Sequence, residues 1–222
     1  MPLSPYSLLS LEELKDYLGV AGTGKDGALE GIANRVSDEI EQYLGRQIVT
    51  RGTGTGLLTE YHTMLDPQGL PVYTPDLRTL DWPIIAITTV HEDLAAPRTY
   101  GAGALLTVDV GYELVKPVGI IRRIQGLGIR IPWATGPRAV KVVYQAGYLT
   151  TADVPARIKG VAMRYASVIW AEVRGGSFGV SGQTDATGNF TRFAPAMLSD
   201  AMKATLTPEQ RVSFWESGER AA

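Results

Sequence analysis

The chain contains no cysteine and only two histidines, His62 and His91, among its 222 residues. The first absence excludes disulfides and thiolate metal sites and suits assembly in a reducing compartment. The second leaves no His-x-x-x-His spacing for a metal. No apolar run approaches the roughly 20 residues of a membrane-spanning helix, so no membrane is expected as a partner. The opening stretch MPLSPYSLLSLEELKDYLG lacks a basic segment and leads into an acidic helix, and does not read as a secretory signal. What is present is a globular composition with 45% apolar and 20% charged residues, rich in turns through 25 glycines and 13 prolines.

Residues 19–27, GVAGTGKDG, place Gly19, Gly24 and Lys25 at the spacing of a phosphate-binding loop. Such a loop leaves a strand, enters a helix and carries Ser or Thr after the lysine to hold magnesium. Here a helix precedes it, and Asp26 puts a negative charge where phosphate would sit, so the stretch reads as a connector. GTGTG at 52–56 has no helix after it to present aligned N–H groups. The Gly175-x-Ser177-x-Gly179 pattern leaves a helix, where an exposed nucleophile needs a strand-to-helix turn. His62 with Glu60, or His91 with Glu92 and Asp93, would need partners from elsewhere to form a ligand group, because adjacent strand residues point to opposite faces. No catalytic constellation, cofactor site or metal site is expected, and the chain reads as a non-enzyme.

Ser10 with Glu13 forms a capping box ahead of a Leu11, Leu14, Leu18 stripe, predicting a short helix over 10–19 that stops at Gly19. Leu29, Ile32, Ala33, Val36, Ile40, Tyr43 and Leu44 repeat with helical period and predict a second helix over 26–44, with Asp26 as cap and Gly45 as stop. Pro155 opens a third, over 155–174, whose stripe is Ile158, Val161, Ala162, Tyr165, Val168, Ile169 and Val173. Between the second and third helices, short β-type runs at 57–64, 84–91, 104–109, 112–115, 119–124 and 139–146 are bounded by Gly, Pro and Asp turns and predict antiparallel pairing. The fold class expected is therefore α+β: a small helical bundle of two long helices plus a short N-terminal helix, with an inserted antiparallel β region over about 47–148. Residues 1–176 would form the domain, and 177–222 a flexible linker and extended C-terminal arm with short helices at 195–206 and 208–216. All 4 phenylalanines, Phe178, Phe190, Phe193 and Phe214, fall in that arm with Trp215, as spaced anchors for another surface.

Charge is distributed unevenly. From Glu12 to Glu41 there are eight acidic and three basic residues, whereas from Leu114 to Ala152 there are six basic residues and no acidic one. The acidic set includes Glu30, Asp38 and Glu39 on the outer face of the second helix; the basic set includes Arg122, Arg123, Arg130 and Lys141. These two sets are the candidate complementary flanks of a contact between identical subunits. The basic stretch alone also admits a DNA-binding protein as the alternative function.

The order of SLEELKDYLGV, IEQYLGRQI, LDWPIIAITTVHED, TYGAGALLTVDVGYELV, GIIRRI, PWATGPRAVKVVYQAGY and DVPARIKGVAMRYASVIWAEVRGG resembles that of the head–tail connector proteins of tailed bacteriophages, also called adaptor or head-completion proteins. The resemblance covers residues 8–176. It is carried by YLGR (43–46), WPI (82–84), W-x-x-G (133–136) and V-x-Y-x-A-G-Y (142–148). It implies a structural virion protein of the phage neck, assembled in the host cytoplasm. Many copies, commonly twelve, would form a ring below the portal protein. That ring would extend the channel through which genomic DNA passes without specific binding, and would offer a platform for the next neck, stopper or tail protein. The stretch 61–80 looks longer than in compact members of that family, and 177–222 has no counterpart to align.

Overall fold

In a computed structural model of the chain, the described residues are 2–51, 56–66, 68–95, 98–175, 183–184, 190–191, 198–210 and 218–220. They divide into two compact units, Met1–Gly45 with Thr150–Gln210, and Arg46–Leu149 with Arg211–Ala222.

The first unit is helical. Helix α1, Leu11–Leu18, starts at the expected capping box, with the Glu13 N–H donating to Ser10 Oγ and the Ser10 N–H to Glu13 Oε2, both at 3.1 Å. It ends where Gly19 takes a left-handed conformation, φ 63°. Helix α2, Asp26–Leu44, buries Leu29, Ile32, Ala33, Val36, Ile40 and Leu44, nearly the whole stripe read from its periodicity. Its cap differs from expectation. Lys25 occupies that position with no side-chain bond, and Asp26, the first helical residue, instead receives Lys15 Nζ at 2.7 Å. Helix α3, Ala156–Gly175, buries Ile158, Val161, Ala162, Tyr165 and Ile169 as expected, with Ala166 and Trp170 beside them. Val168, just beyond one edge of that stripe, and Val173, in the last turn, stay exposed. The three helices contact one another, and Leu8 and Leu9, both fully buried, complete their core.

The second unit is built on strands β1 (Leu58–Met64), β2 (Asp76–Arg78), β3 (Ile84–Glu92), β4 (Leu105–Leu106), β5 (Tyr112–Val115), β6 (Ile120–Gln125), β7 (Ile129–Arg130) and β8 (Gly136–Ala146). Strands β9 (Gln183–Thr184) and β10 (Phe190–Thr191) pair with each other, and β11 (Gly218–Arg220) pairs with β1 at the edge of the main sheet. The main antiparallel sheet runs β11-β1-β8-β3-β4; the second runs β2-β6-β5, with β7 folding back on β6. Alternation along β8 sends Val140, Val142 and Tyr144 into a core shared with Met64, Ile84, Val90, Tyr112, Ile121 and Trp133. At its far end the segments around Ile48 and Tyr148 run side by side. Gly147 sits there at φ +99°, where an added Cβ would lie 2.8 Å from the Ile48 carbonyl oxygen.

This architecture corrects the expected fold class. The chain is not a two-long-helix bundle carrying an inserted β region and trailing an extended arm: its described residues form four α-helices, and its antiparallel sheets form a unit with a core of their own. Short runs that looked like an insertion alternate well enough to bury one face each, and β2 and β7 add pairing that propensity did not reveal. Described parts of the C-terminal region also return to the chain. Helix α4, Asp200–Leu206, packs on α3 with Leu206 fully buried, and β11 pairs with β1.

Candidate functional site

The seven charged residues expected at a subunit contact fall into two groups. On α2, Glu30 and Asp38 form no ion pair among the described residues, and Asp38 is exposed. Glu39 is engaged: Arg35 Nε donates to it at 2.7 Å, and the buried Tyr165 hydroxyl donates to its other oxygen. Burial, followed by that bond to Glu39, pushes the Tyr165 phenol up to about 12.

The basic set divides in the same way. Arg122 Nε reaches Asp76 at 2.7 Å and its Nη1 reaches Glu113 at 3.4 Å, so this cation bridges the strands on either side of β6. Arg123 holds Glu92 at 2.8 Å and also donates to the Gly111 and Ile124 carbonyls. Glu92 in turn accepts the Ala134 N–H at 2.7 Å, and the guanidinium lies 5.9 Å from the Trp133 ring centre, so the pair straps β6 of one sheet to β3 of the other. Arg130 is exposed and has no carboxylate partner among the described residues. Lys141 sits in a cross-strand row with Tyr61 on β1 and His91 on β3. Its ammonium lies 5.4 Å from the Tyr100 ring centre and 6.0 Å from that of Tyr61, while Arg138 stands 4.2 Å over Tyr61. Burial and the Lys141 charge both lower the His91 imidazole. The long basic run is therefore not one open cationic patch.

Sequence reasoning missed the most buried polar cluster. Glu60 and His62 are two apart on β1, so they share a face, and the divergence argued for adjacent residues does not apply to them. Glu60 is fully buried; it accepts a bond from the Tyr144 hydroxyl on β8 and the Leu80 N–H at 3.1 Å to each oxygen. His62 Nε2 stands 3.1 Å from its Oε2. The Asp81 N–H donates to the Tyr144 oxygen at 3.1 Å, and burial pushes that phenol well above its usual value. Nearby, Arg46 donates to the Trp82 carbonyl at 2.6 Å and stacks 4.3 Å from the Trp82 ring centre. The period-two spacing of Glu60 and His62 was the available signal; their partner Tyr144 lies 84 residues on. Both Glu60 oxygens, His62 Nε2 and the Tyr144 hydroxyl meet other protein groups, which marks the cluster as a structural network. Among the described residues no group of three His, Cys, Asp or Glu side chains is placed to hold a metal.

The connector between α1 and α2 departs from a phosphate loop as expected, with Gly19 closing one helix and Asp26 salt-bridged to Lys15. Of the expected aromatic anchors, Phe178, Phe193, Phe214 and Trp215 lie outside the described residues; Phe190 is described only as a backbone position in β10.

No protein family and no curated protein matches the chain. Solved structures do. A chain in the neck of an empty gene transfer agent particle, computed with sixfold symmetry, superposes over 96% of this chain and 95% of its own with TM-score 0.53 at 15% identity. One in the neck of the native particle, computed with twelvefold symmetry, covers 96% and 93% with TM-score 0.53 at 15% identity. A third, from the virion of the native gene transfer agent particle, covers 96% and 93% with TM-score 0.51 at 16% identity. The likeness is one of fold, and it spans both units. The chain thus has the fold of a neck component of a phage-like particle, in agreement with the connector resemblance carried by its sequence.

Proposed function

We propose that the chain is a structural, non-enzymatic head–tail connector. Copies of it form a ring, twelve in number, beneath a portal protein. The ring continues the DNA channel and seats the next neck or tail protein. The observation that carries this reading is end-to-end fold similarity to chains from necks computed with sixfold and twelvefold symmetry. A ring built from one repeated heterologous contact needs two different, complementary flanks on each subunit. The acidic Glu30 and Asp38, the basic Arg130, and Lys141, which meets aromatic rings rather than a carboxylate, are the charges assigned to such flanks. Glu39, Arg122 and Arg123 then act indirectly, by holding the surfaces that carry them. Near-neutral overall charge, −2 at pH 7, suits a channel that lets DNA pass without capture.

Electron microscopy of the purified protein, alone and mixed with a portal, tests the reading. Closed rings that cap the portal are expected; a monomer that ignores the portal would refute it. The segment carrying Phe178, Phe190, Phe193, Phe214 and Trp215 is the proposed portal-binding element. Removing all of 177–222 would also remove Leu206 and β11, so the sharper test replaces the aromatic side chains by alanine. Portal binding should drop while the fold is retained; unchanged binding would exclude the segment.

A further inference from the structure

The turn joining β6 to β7 presents apolar side chains to water. Gly126, Leu127 and Gly128 all have positive φ, 30°, 46° and 75°, a conformation uncommon for leucine. Leu127 is fully exposed and Ile129 is 62% exposed. Arg130, next along the hairpin, is exposed and unpaired among the described residues. Two large apolar side chains beside a free cation give this turn an apolar tip with one charge at its rim.

The helical unit carries a complementary recess. A cavity of about 320 Å³ opens beside α1, with Leu11, Val20 and Ala21 in its lining and Glu12 and Asp16 as its acidic groups. Lys15 also lines it, but its charge is matched by Asp26 at 2.7 Å. Glu12 and Asp16 are exposed and have no ion pair among the described residues. The recess therefore offers apolar contact with two uncompensated anions, and the hairpin offers apolar side chains with one uncompensated cation.

We infer that the β6–β7 hairpin of one copy docks into the α1 recess of a second copy, with Leu127 on the apolar lining and Arg130 against Glu12 and Asp16. This rests on the ring reading above and names its contact. A knob and a socket made of different residues form a heterologous contact, leaving one knob and one socket free at the ends of any open chain of copies, which is what ring closure requires.

The lack of cysteine makes the test clean. Full-length Leu127→Cys and Ala21→Cys proteins are co-refolded and oxidised, and assembly is followed in parallel by sedimentation. A disulfide-linked dimer in the mixture, and in neither protein alone, is the expected result. Assembly without that cross-link overturns the docking contact and leaves the ring reading standing. Absence of both assembly and cross-link overturns the two together, whereas cross-linking of Leu127→Cys alone shows a twofold knob-to-knob contact and also overturns the proposal. As a second measurement, Arg130→Glu should weaken self-association about tenfold or more, as reversal of a close interfacial charge does, and Asp16→Arg in the same chain should restore part of it. Unchanged association in Arg130→Glu, or no recovery in the double variant, counts against the contact. All these positions are exposed or partly exposed, so thermal melting should match the parent protein.

Discussion

The two units use their charged residues differently. In the helical unit the ion pairs sit at the edges of the packed helices. Lys159 reaches Glu13 at 2.7 Å and Lys15 reaches Asp26 at 2.7 Å, both with partly exposed side chains. In the sheet unit one group, around Glu60, is interior, while the Arg122 and Arg123 pairs are partly exposed like those of the helices. Glu60 and His62 are buried, and Arg123 with Glu92 straps one sheet to the other. Partly exposed pairs contribute about 0–1 kcal/mol, because water already solvates them. A buried carboxylate is different: its hydrogen-bond partners hold it, and losing either side leaves an orphaned polar group in a medium that cannot solvate it. The sheet unit should therefore be the more sensitive to polar substitution, and the helical unit to loss of apolar volume.

The largest expected effect breaks the sheet network. Glu60→Ala removes the acceptor for the Tyr144 hydroxyl and the Leu80 N–H and leaves His62 unpaired. A loss of about 3–5 kcal/mol is expected, as for one member of a buried polar pair, read from the urea midpoint. A loss below about 1 kcal/mol, the value for an exposed pair, would place the cluster in contact with water and erase the contrast. For the helical unit the matching experiment is Ile40→Ala at a fully buried position. It should cost about 2–5 kcal/mol through lost transfer energy and a residual cavity.

Alkaline pH separates the phenols by environment. Tyr165 is raised from 10.0 to about 12, chiefly by burial and then by its bond to Glu39. A group whose pKa is higher folded than unfolded contributes its stability fully below the unfolded value and loses it as pH rises through the folded one. Tyr165 thus supports the helical unit up to pH 10, and that support fades between 10 and about 12. Tyr165→Phe should be less stable than the parent at neutral pH and show a shallower decline across that window in pH-stepped urea titrations. Parallel declines would assign the alkaline loss to other groups.

Legibility from sequence follows the range of the interaction. The caps of α1, the stripes of α2 and α3 and the alternation of β8 are local patterns, and the observed elements match them within a few residues. What failed was whatever needed a distant partner. Strand β2 is three residues long and exists because β6 accepts it. Asp26 resembles a cap in isolation but lies one position inside the helix, where Lys15 claims it. Arg122 and Arg123 looked like open charge because the stretch 114–152 holds no acid, yet Asp76 and Glu92 reach them across 46 and 31 residues. The C-terminal region read as an arm because its glycine-rich start hides the pairing of β11 with β1 and the burial of Leu206. The candidate interface was half legible for the same reason: residue type shows which side chains are charged, and only the fold shows which of them already have partners.

The smallest effect tests the most local of these readings. Ser10 caps α1 by accepting from the Glu13 N–H, and Glu13 answers by accepting from the Ser10 N–H, so the two satisfy donors that the first helical turn leaves open. Burial raises the Glu13 carboxyl, but the hydrogen bonds from Lys159 and Ser10 outweigh it and hold the group below 4.5. Because the folded pKa is the lower one, this contribution is present above the unfolded value and is lost as pH falls through the folded one. Ser10→Ala should therefore destabilise by about 1 kcal/mol at neutral pH, as loss of a serine cap does. It should also remove a small part of the acid dependence below pH 4.5, because the serine hydroxyl's bond to Glu13 is lost while the residue 10 N–H and Lys159 still hold that carboxylate. A variant as stable as the parent at both pH values would mean that Lys159 and the residue 10 N–H suffice to position Glu13, and that the start of α1 is held by packing of Leu14 rather than by the serine cap.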